Sequence, residues 1–464
     1  MSLKQVIALI ILAAADVFVI AAPYYLKNII PNLHLYLGIR EDQVAQVTSI
    51  IGWVTLATQL PGGFLANRFS SRWLLFLAVA STGLITFWFG ATILQAQNLS
   101  PDSLMLQYGL IFGLWGVSST LIFWTPLWKL VSQQTTKENQ GFAYGFQGTA
   151  NGVLGFILVF VVGLIVTNIW FPLVKDTAQS ALPFSIYIFW IAGLLVATSF
   201  LVLFMVPEKP LAKSQEKLSW HLLRRNVKQI LRQLKSWKLW MLSIFVMGMY
   251  TFQSVFAFYL LQMISNAFLA PLVLATVIGG IRTYAMRTAV SSFVGKFADK
   301  FRSYVLLLFL TTGVGIVFIG LLILLPFVNG NQIQYSLPLV VISTIVFLLV
   351  GLLSWVMVTL RYVQIGEIEI EKNSYASSIG ILSFIGFSTD SWLYNITGSI
   401  GESFTDKVAG QTATSLVGYQ LILLVTLSVT LLGLLCGLAV HIANTRDLKR
   451  LGKTDYRWRA LDNV

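Results

Sequence analysis

Apolar residues in this chain run in long blocks rather than alternating or recurring on one face. Twelve blocks stand out, at about 4–27, 44–65, 73–96, 104–127, 142–168, 182–206, 239–263, 268–294, 303–328, 336–359, 375–400 and 416–443. At 1.5 Å of rise per residue, each helix is long enough to cross roughly 30 Å of hydrocarbon. The pattern predicts an all-α membrane protein. The first block begins at Leu3-Lys4, has no small-residue cleavage site and carries Asp16 at its centre, so it reads as a retained helix rather than a signal peptide. The one long connection, 207–238, holds Lys209, Lys213, Lys217, Arg224, Arg225, Lys228, Arg232, Lys235 and Lys238. Leu223, Val227, Ile230, Leu231, Leu234 and Trp237 recur in it at helical spacing, as in an amphipathic helix lying on a membrane surface. The expected organisation is a six-helix bundle over 1–206, the basic linker 207–238, a second six-helix bundle over 239–445 and a basic tail 446–464.

One phrase is said twice. Gly63-Phe64-Leu65-Ala66-Asn67-Arg68-Phe69-Ser70-Ser71-Arg72 recurs as Gly295-Lys296-Phe297-Ala298-Asp299-Lys300-Phe301-Arg302-Ser303-Tyr304, at an offset of 232 in 464 residues. Each copy closes one apolar block and opens the next, which is the signature of a duplicated membrane bundle.

Composition narrows the class. The chain is 56% hydrophobic and 11% charged, against roughly 25% charged in soluble domains. The formal net charge of +13 is spread over short loops between apolar blocks, which argues against a nucleic-acid surface. Lone Cys436 and scattered His34, His221 and His441 offer no disulfide framework or metal cluster. Basic residues favour alternate loops (Arg68 and Arg72; Lys129 and Lys137; Lys296, Lys300 and Arg302; Arg361 and Lys372) and the tail. The opposite loops hold few: Lys27, Arg40, Lys175 and Lys407. This bias predicts cytoplasmic termini in a bacterial inner membrane.

The two basic hairpins resemble the loop signature of the major facilitator superfamily, G-x-L-A-D-R-x-G-R-K. The resemblance implies twelve helices in two pseudo-symmetric bundles, alternating access, a monomeric transport unit and no cofactor. It also implies that Asn67, Arg68, Arg72, Asp299, Lys300 and Arg302 act as gating loops. The first copy departs from the signature, with Asn67 for Asp and Ser70 for Gly. Asn keeps hydrogen-bonding capacity but loses the charge toward a helix N-terminus, so a weaker lock is expected in the first half. Drug antiporters of the superfamily usually carry Gly-Pro in the fifth helix; this chain has Gly152-Val153.

Gly141, Gly145, Gly148, Gly152 and Gly155 make a smooth stripe along the fifth block. Tight packing and a sliding surface both account for it. Four charges lie within blocks: Asp16, Arg282, Arg287 and Asp390. Charge at the bilayer centre costs about 2.5–3.5 kcal/mol on insertion scales, so each needs a partner or water. Arg282 lies about 20 Å from the cytoplasmic end at 1.5 Å per residue, near mid-membrane. Arg282 and Arg287 are the leading anion-binding candidates, since guanidinium forks suit carboxylate and phosphate oxygens. Either could instead pair with Asp16 or Asp390, which are candidates for proton coupling or for holding an arginine. Tyr24, Trp115, Gln147, Asn151, Tyr284 and Trp355 are further candidates for substrate contact; Gln147 and Asn151 share a helix face. Lys129 and Arg361 read as charges at helix ends, and Glu367 as solvated.

No G-x-x-x-x-G-K-S/T loop is present, so ATP hydrolysis is not expected, and no cluster suggests an enzyme. The expected activity is secondary transport of an organic anion such as a sugar phosphate or sugar acid. The alternatives are proton-coupled export of lipophilic or cationic compounds through Asp16, and a non-transporting sensor.

Overall fold

The computed structural model describes residues 2–135, 140–177, 179–208, 232–298, 300–328, 335–368, 375–408, 411–454 and 456. Among these, twelve long helices follow one another: α1 (Leu3–Ile29), α2 (Glu41–Arg68), α3 (Ser71–Asn98), α4 (Pro101–Gln133), α5 (Ala143–Val174), α6 (Leu182–Met205), α7 (Trp237–Asn266), α8 (272–298), α9 (Tyr304–Val328), α10 (Leu337–Leu360), α11 (375–403) and α12 (Leu416–Leu451). A hairpin of β1 (Thr405–Val408) and β2 (Gln411–Thr414) links α11 to α12, with Thr405 opposite Thr414. Most of the amphipathic linker, 209–231, lies outside the described residues.

Local chemistry sets many of the boundaries. Ser2 and Gln5 form a capping box at the start of α1. Ser70, Ser100, Ser236 and Ser415 cap α3, α4, α7 and α12 through their hydroxyls. Pro101, Pro183 and Pro338 stand in the first turns of α4, α6 and α10, where a missing N–H costs nothing. The last helix runs on to Leu451 before Gly452 ends it at φ 64°. Arg446, Lys449 and Arg450, expected in a tail, are therefore helical. Lys238 pins this extension by donating to Asp447 at 2.6 Å and Asn444 at 2.9 Å.

Two repeat-related helices are interrupted. α1 widens into a π-turn at Ala21–Tyr25, around Pro23, which has no N–H to give. α7 breaks after Tyr250 and resumes at Val255. At the 232-residue repeat offset these breaks nearly coincide. π-turns also occur in α5, at Gly155–Val161 and Val166–Trp170, and in α8, where Ile281–Ala285 carries Arg282 and Tyr284.

Nine of the described helices qualify as membrane spans by length and hydropathy. The other three expected blocks are also helical: α2, which opens with Glu41 and Asp42; α8, with Arg282 and Arg287; and α11, with Asp390. These three, with α5, make the main contact between the first and second halves of the chain: α2 along the later part of α11, and α5 along α8. A face meeting protein instead of lipid tolerates polar groups. On α3, by contrast, Trp73, Leu77, Leu84, Phe87 and Leu94 are exposed, as a lipid-facing surface requires.

Both contacts between halves rest on glycine. A Cβ on Gly52 would run into the backbone of Asp390, one on Gly152 into Thr288, and one on Gly155 into Tyr284. The α5 stripe therefore allows close approach to α8, while Gly145 faces open space.

Candidate functional site

Where the halves meet, α1, α5 and α8 gather four of the candidate residues, three of them bonded to the carboxylate of the fourth, Asp16. Asp16 is fully buried. Its Oδ2 accepts from Asn151 Nδ2 at 2.7 Å, Gln147 Nε2 at 3.0 Å and an Arg287 guanidinium nitrogen at 3.2 Å. Gln147 and Asn151 reach it together because they lie one turn apart on α5. Asp16 Oδ1 and Asn151 Oδ1 are buried with no hydrogen-bond partner. The Asp16–Arg287 pair joins the first half to the second, and the Arg287 guanidinium lies 5.4 Å from the Trp355 ring centre.

A second group lies around Asp390. Tyr250 donates its hydroxyl to Asp390 Oδ2 at 2.7 Å. Lys27 stands within electrostatic range of that carboxylate, with its ammonium 4.4 Å from the Tyr394 ring centre. Tyr24 belongs to a hydroxyl cluster: its oxygen is 2.8 Å from Ser119 Oγ and 3.4 Å from Thr55 Oγ1, and Thr120 reaches Thr55 at 3.3 Å. Tyr25 meets Tyr284 edge to face at 6.1 Å, so the π-turns of α1 and α8 touch across the halves.

Other candidates are placed elsewhere. Arg282 is buried, donates to the Phe252 carbonyl at 2.6 Å and lies 5.4 Å from the Phe347 ring centre. It thereby serves a carbonyl left by the break in α7. Gly351 makes room for its stem, since a Cβ there would sit 2.6 Å from Arg282 Cγ. Trp355 donates its indole N–H to the Arg282 carbonyl at 2.7 Å. Trp115 packs between Phe89 and Phe112 and donates to Thr86, inside the α3–α4 seam and away from both carboxylates. Arg361 is half-buried against Tyr362 and Phe387, and Phe387 in turn meets Tyr250 edge to face.

The hairpins are clamped within their own halves. The Glu208 carboxylate accepts from Ser70 Oγ, from the Ser71 N–H at 2.7 Å and from the Arg72 N–H at 3.3 Å. The Glu367 carboxylate accepts from Ser303 Oγ at 2.8 Å, from the Tyr304 N–H and from the Val305 N–H at 3.3 Å. Glu367, expected to be solvated, is 1% exposed because these donors at the start of α9 draw it in. Among the gating candidates, Asn67 and Arg68 form the last turn of α2, and Arg72 lies in the first turn of α3. Lys300 and Arg302 precede α9, and Asp299 lies outside the described residues.

At the far end, opposite the termini, polar bonds cross between halves. Glu41 accepts from Tyr419 Oη at 2.7 Å and from the Thr414 N–H at 2.9 Å. Arg40 reaches Glu402 at 2.9 Å, and the Asn32 N–H donates to Gln262 at 3.1 Å. His34, in the short helix Leu33–Leu37 beside this closure, is buried with an unpartnered Nδ1. Burial pushes its pKa down to about 4, against the opposing pull of Asp42.

Lys27, Glu41, Glu208, Tyr250 and Glu367 were not singled out by sequence. Lys27 had a readable signal: it follows Asp16 by eleven residues, close to three turns of the same helix face.

A duplicated helical membrane fold, with buried charges where its halves meet, defines the transporter class. The Major Facilitator Superfamily model matches residues 6–389, and the chain belongs to that family. It is 60% identical over 464 residues to the MG294 homolog of Mycoplasma pneumoniae, covering 100% of this chain and 97% of the relative. It is 22% identical over 371 residues to the inner membrane protein YihN of Escherichia coli, covering 79% and 80%. Solved structures share its fold. The nucleoside transporter NupG aligns at TM-score 0.62 and 14% identity, over 95% of this chain and 99% of that one. A bacterial homolog of the human lysosomal transporter Spinster, inward-facing and unoccupied, aligns at 0.61 and 11% identity, over 96% and 95%.

Proposed function

We propose that this chain is a secondary transporter of a small organic anion, working by alternating access between two six-helix bundles. The observation that carries the reading is the charge at the centre of the junction, inward of the far-end bonds. Lys27 and Arg287 stand there with Asp16 and Asp390, while Arg282 and Arg361, packed on the second-half side, have no carboxylate bonded to either among the described residues. Cations in excess within a membrane favour an anionic guest. Asp16 holds Arg287 across the halves until the guest or a proton competes for it. With the termini cytoplasmic, as the loop charges favour, the far-end bonds close the outer side.

The test is flux in proteoliposomes. Preloaded with a sugar acid or sugar phosphate, they are expected to exchange it for labelled anion outside. Uptake of lipophilic cations instead, abolished by Asp16→Asn, would establish the exporter reading. Anion binding without exchange would point to a sensor.

A further inference from the structure

Lys27 differs from the arginines around it. The Arg282 guanidinium is bonded to the Phe252 carbonyl and that of Arg287 to Asp16. The Lys27 ammonium, on a residue 7% exposed, makes no hydrogen bond to any described residue. The ammonium lies over the face of Tyr394, 4.4 Å from its ring centre. An ammonium carries three N–H donors, and leaving them unmade in a buried site is costly. The neighbouring Asp390 carboxylate makes no hydrogen bond to this ammonium; its Oδ2 accepts from Tyr250. A cation–π contact offsets part of the ammonium's lost hydration but accepts no hydrogen bond in the plane of its donors.

The surroundings specify more than charge. Tyr24 lies three residues before Lys27 on α1, on the same side of the helix, and its hydroxyl cluster includes Thr55, Ser119 and Thr120. Hydroxyls both donate and accept, so this cluster can exchange its internal bonds for bonds to a polyol. Ammonium and hydroxyls together match a ligand with an anionic group at one end and several hydroxyls beyond it.

We propose that Lys27 is the residue that binds the anionic group of a polyhydroxylated acid or phosphate, with Tyr394 backing the ammonium and the Tyr24 cluster taking the hydroxyls. This rests on the anion-transporter reading and assigns its recognition contact. Asp390 then acts as the counter-charge to Lys27 and competes with the ligand for it.

Binding to detergent-purified full-length protein tests the assignment, using gluconate, glucose 6-phosphate and uncharged glucose as probes. At least one of the two anions is expected to bind the native protein more tightly than glucose, and the preferred anion tells carboxylate from phosphate. Lys27→Gln should weaken that anion about 30-fold or more, the scale for losing one partner of a buried charge contact, while leaving glucose nearly unchanged. Lys27→Arg should retain most of the affinity, which separates charge from folding. Asp390→Asn should bind the anion as tightly as native protein or more so, and Lys27→Gln/Asp390→Asn should remain a poor binder. Recovery of anion binding in that double variant would make Lys27 a structural counter-ion and overturn the assignment. Native-like affinity in Lys27→Gln would overturn it too, while leaving anion transport standing. Failure of both anions to bind native protein would overturn both.

Discussion

The two ends of the junction are built differently. At the far end, Glu41, Arg40 and Asn32 of the first half are bonded to Tyr419, Thr414, Glu402 and Gln262 of the second. At the end bearing the termini, Glu208 and Glu367 tie up helix starts, and each stays within its own half. The cross-half bonds described above run from the far end to the central Asp16–Arg287 pair. The difference teaches which bonds hold a half together and which hold a state. The former need never break during a transport cycle; the latter must.

That distinction can be broken most sharply at Glu367. Glu367→Ala strands two backbone N–H groups and a hydroxyl at the buried start of α9, and should destabilise the protein by about 3–4 kcal/mol. Thermal melting reads this, and accessibility at the far end should not change. Glu41→Ala should act the other way. It removes about 2–3 kcal/mol from the far-end closure, so a cysteine placed at Ser265 in a Cys436→Ser background should react faster with an impermeant reagent. An unchanged reaction rate would show that packing, not Glu41, keeps that end shut.

His34 sharpens the comparison through pH. Its folded pKa of about 4 lies below the ordinary 6.5, so the folded protein favours neutral imidazole. Stability is full above about pH 6.5 and falls with pH toward 4, by about 2 kcal/mol at pH 5. His34→Phe should flatten the melting curve across that window. Glu402→Ala is expected to have the smallest effect, at most about 1 kcal/mol, because Arg40 and Glu402 are both half-exposed and Arg40 keeps its bond to Asp42.

The fold was largely legible. Long apolar blocks can hardly be anything but membrane helices, and a phrase repeated at 232 residues marks a duplication. The carboxylate site was legible in part. Asp16, Gln147, Asn151 and Arg287 advertise themselves as polar residues within apolar blocks, and the structure brings them together. The sequence favours Arg282, at mid-membrane depth, over Arg287. What it does not reveal is that Arg282 faces a broken helix of its own half while Arg287 faces Asp16, which depends on helix rotation. Lys27 was read as a loop charge because it ends an apolar block, and Glu367 as solvated because nothing in its neighbours' spelling reveals the donors at Ser303, Tyr304 and Val305. Trp115 shows the converse: an aromatic residue at mid-helix packs as readily within one half as between two.

Gly52 carries a consequence for anyone wishing to hold this molecule still. There the backbone of α2 lies directly on that of Asp390, with no side chain between them. A single added methyl group is a wedge with nowhere to go. Gly52→Ala should prop the two helices apart like a doorstop, giving a protein jammed with its far end ajar and suited to selecting binders for that face.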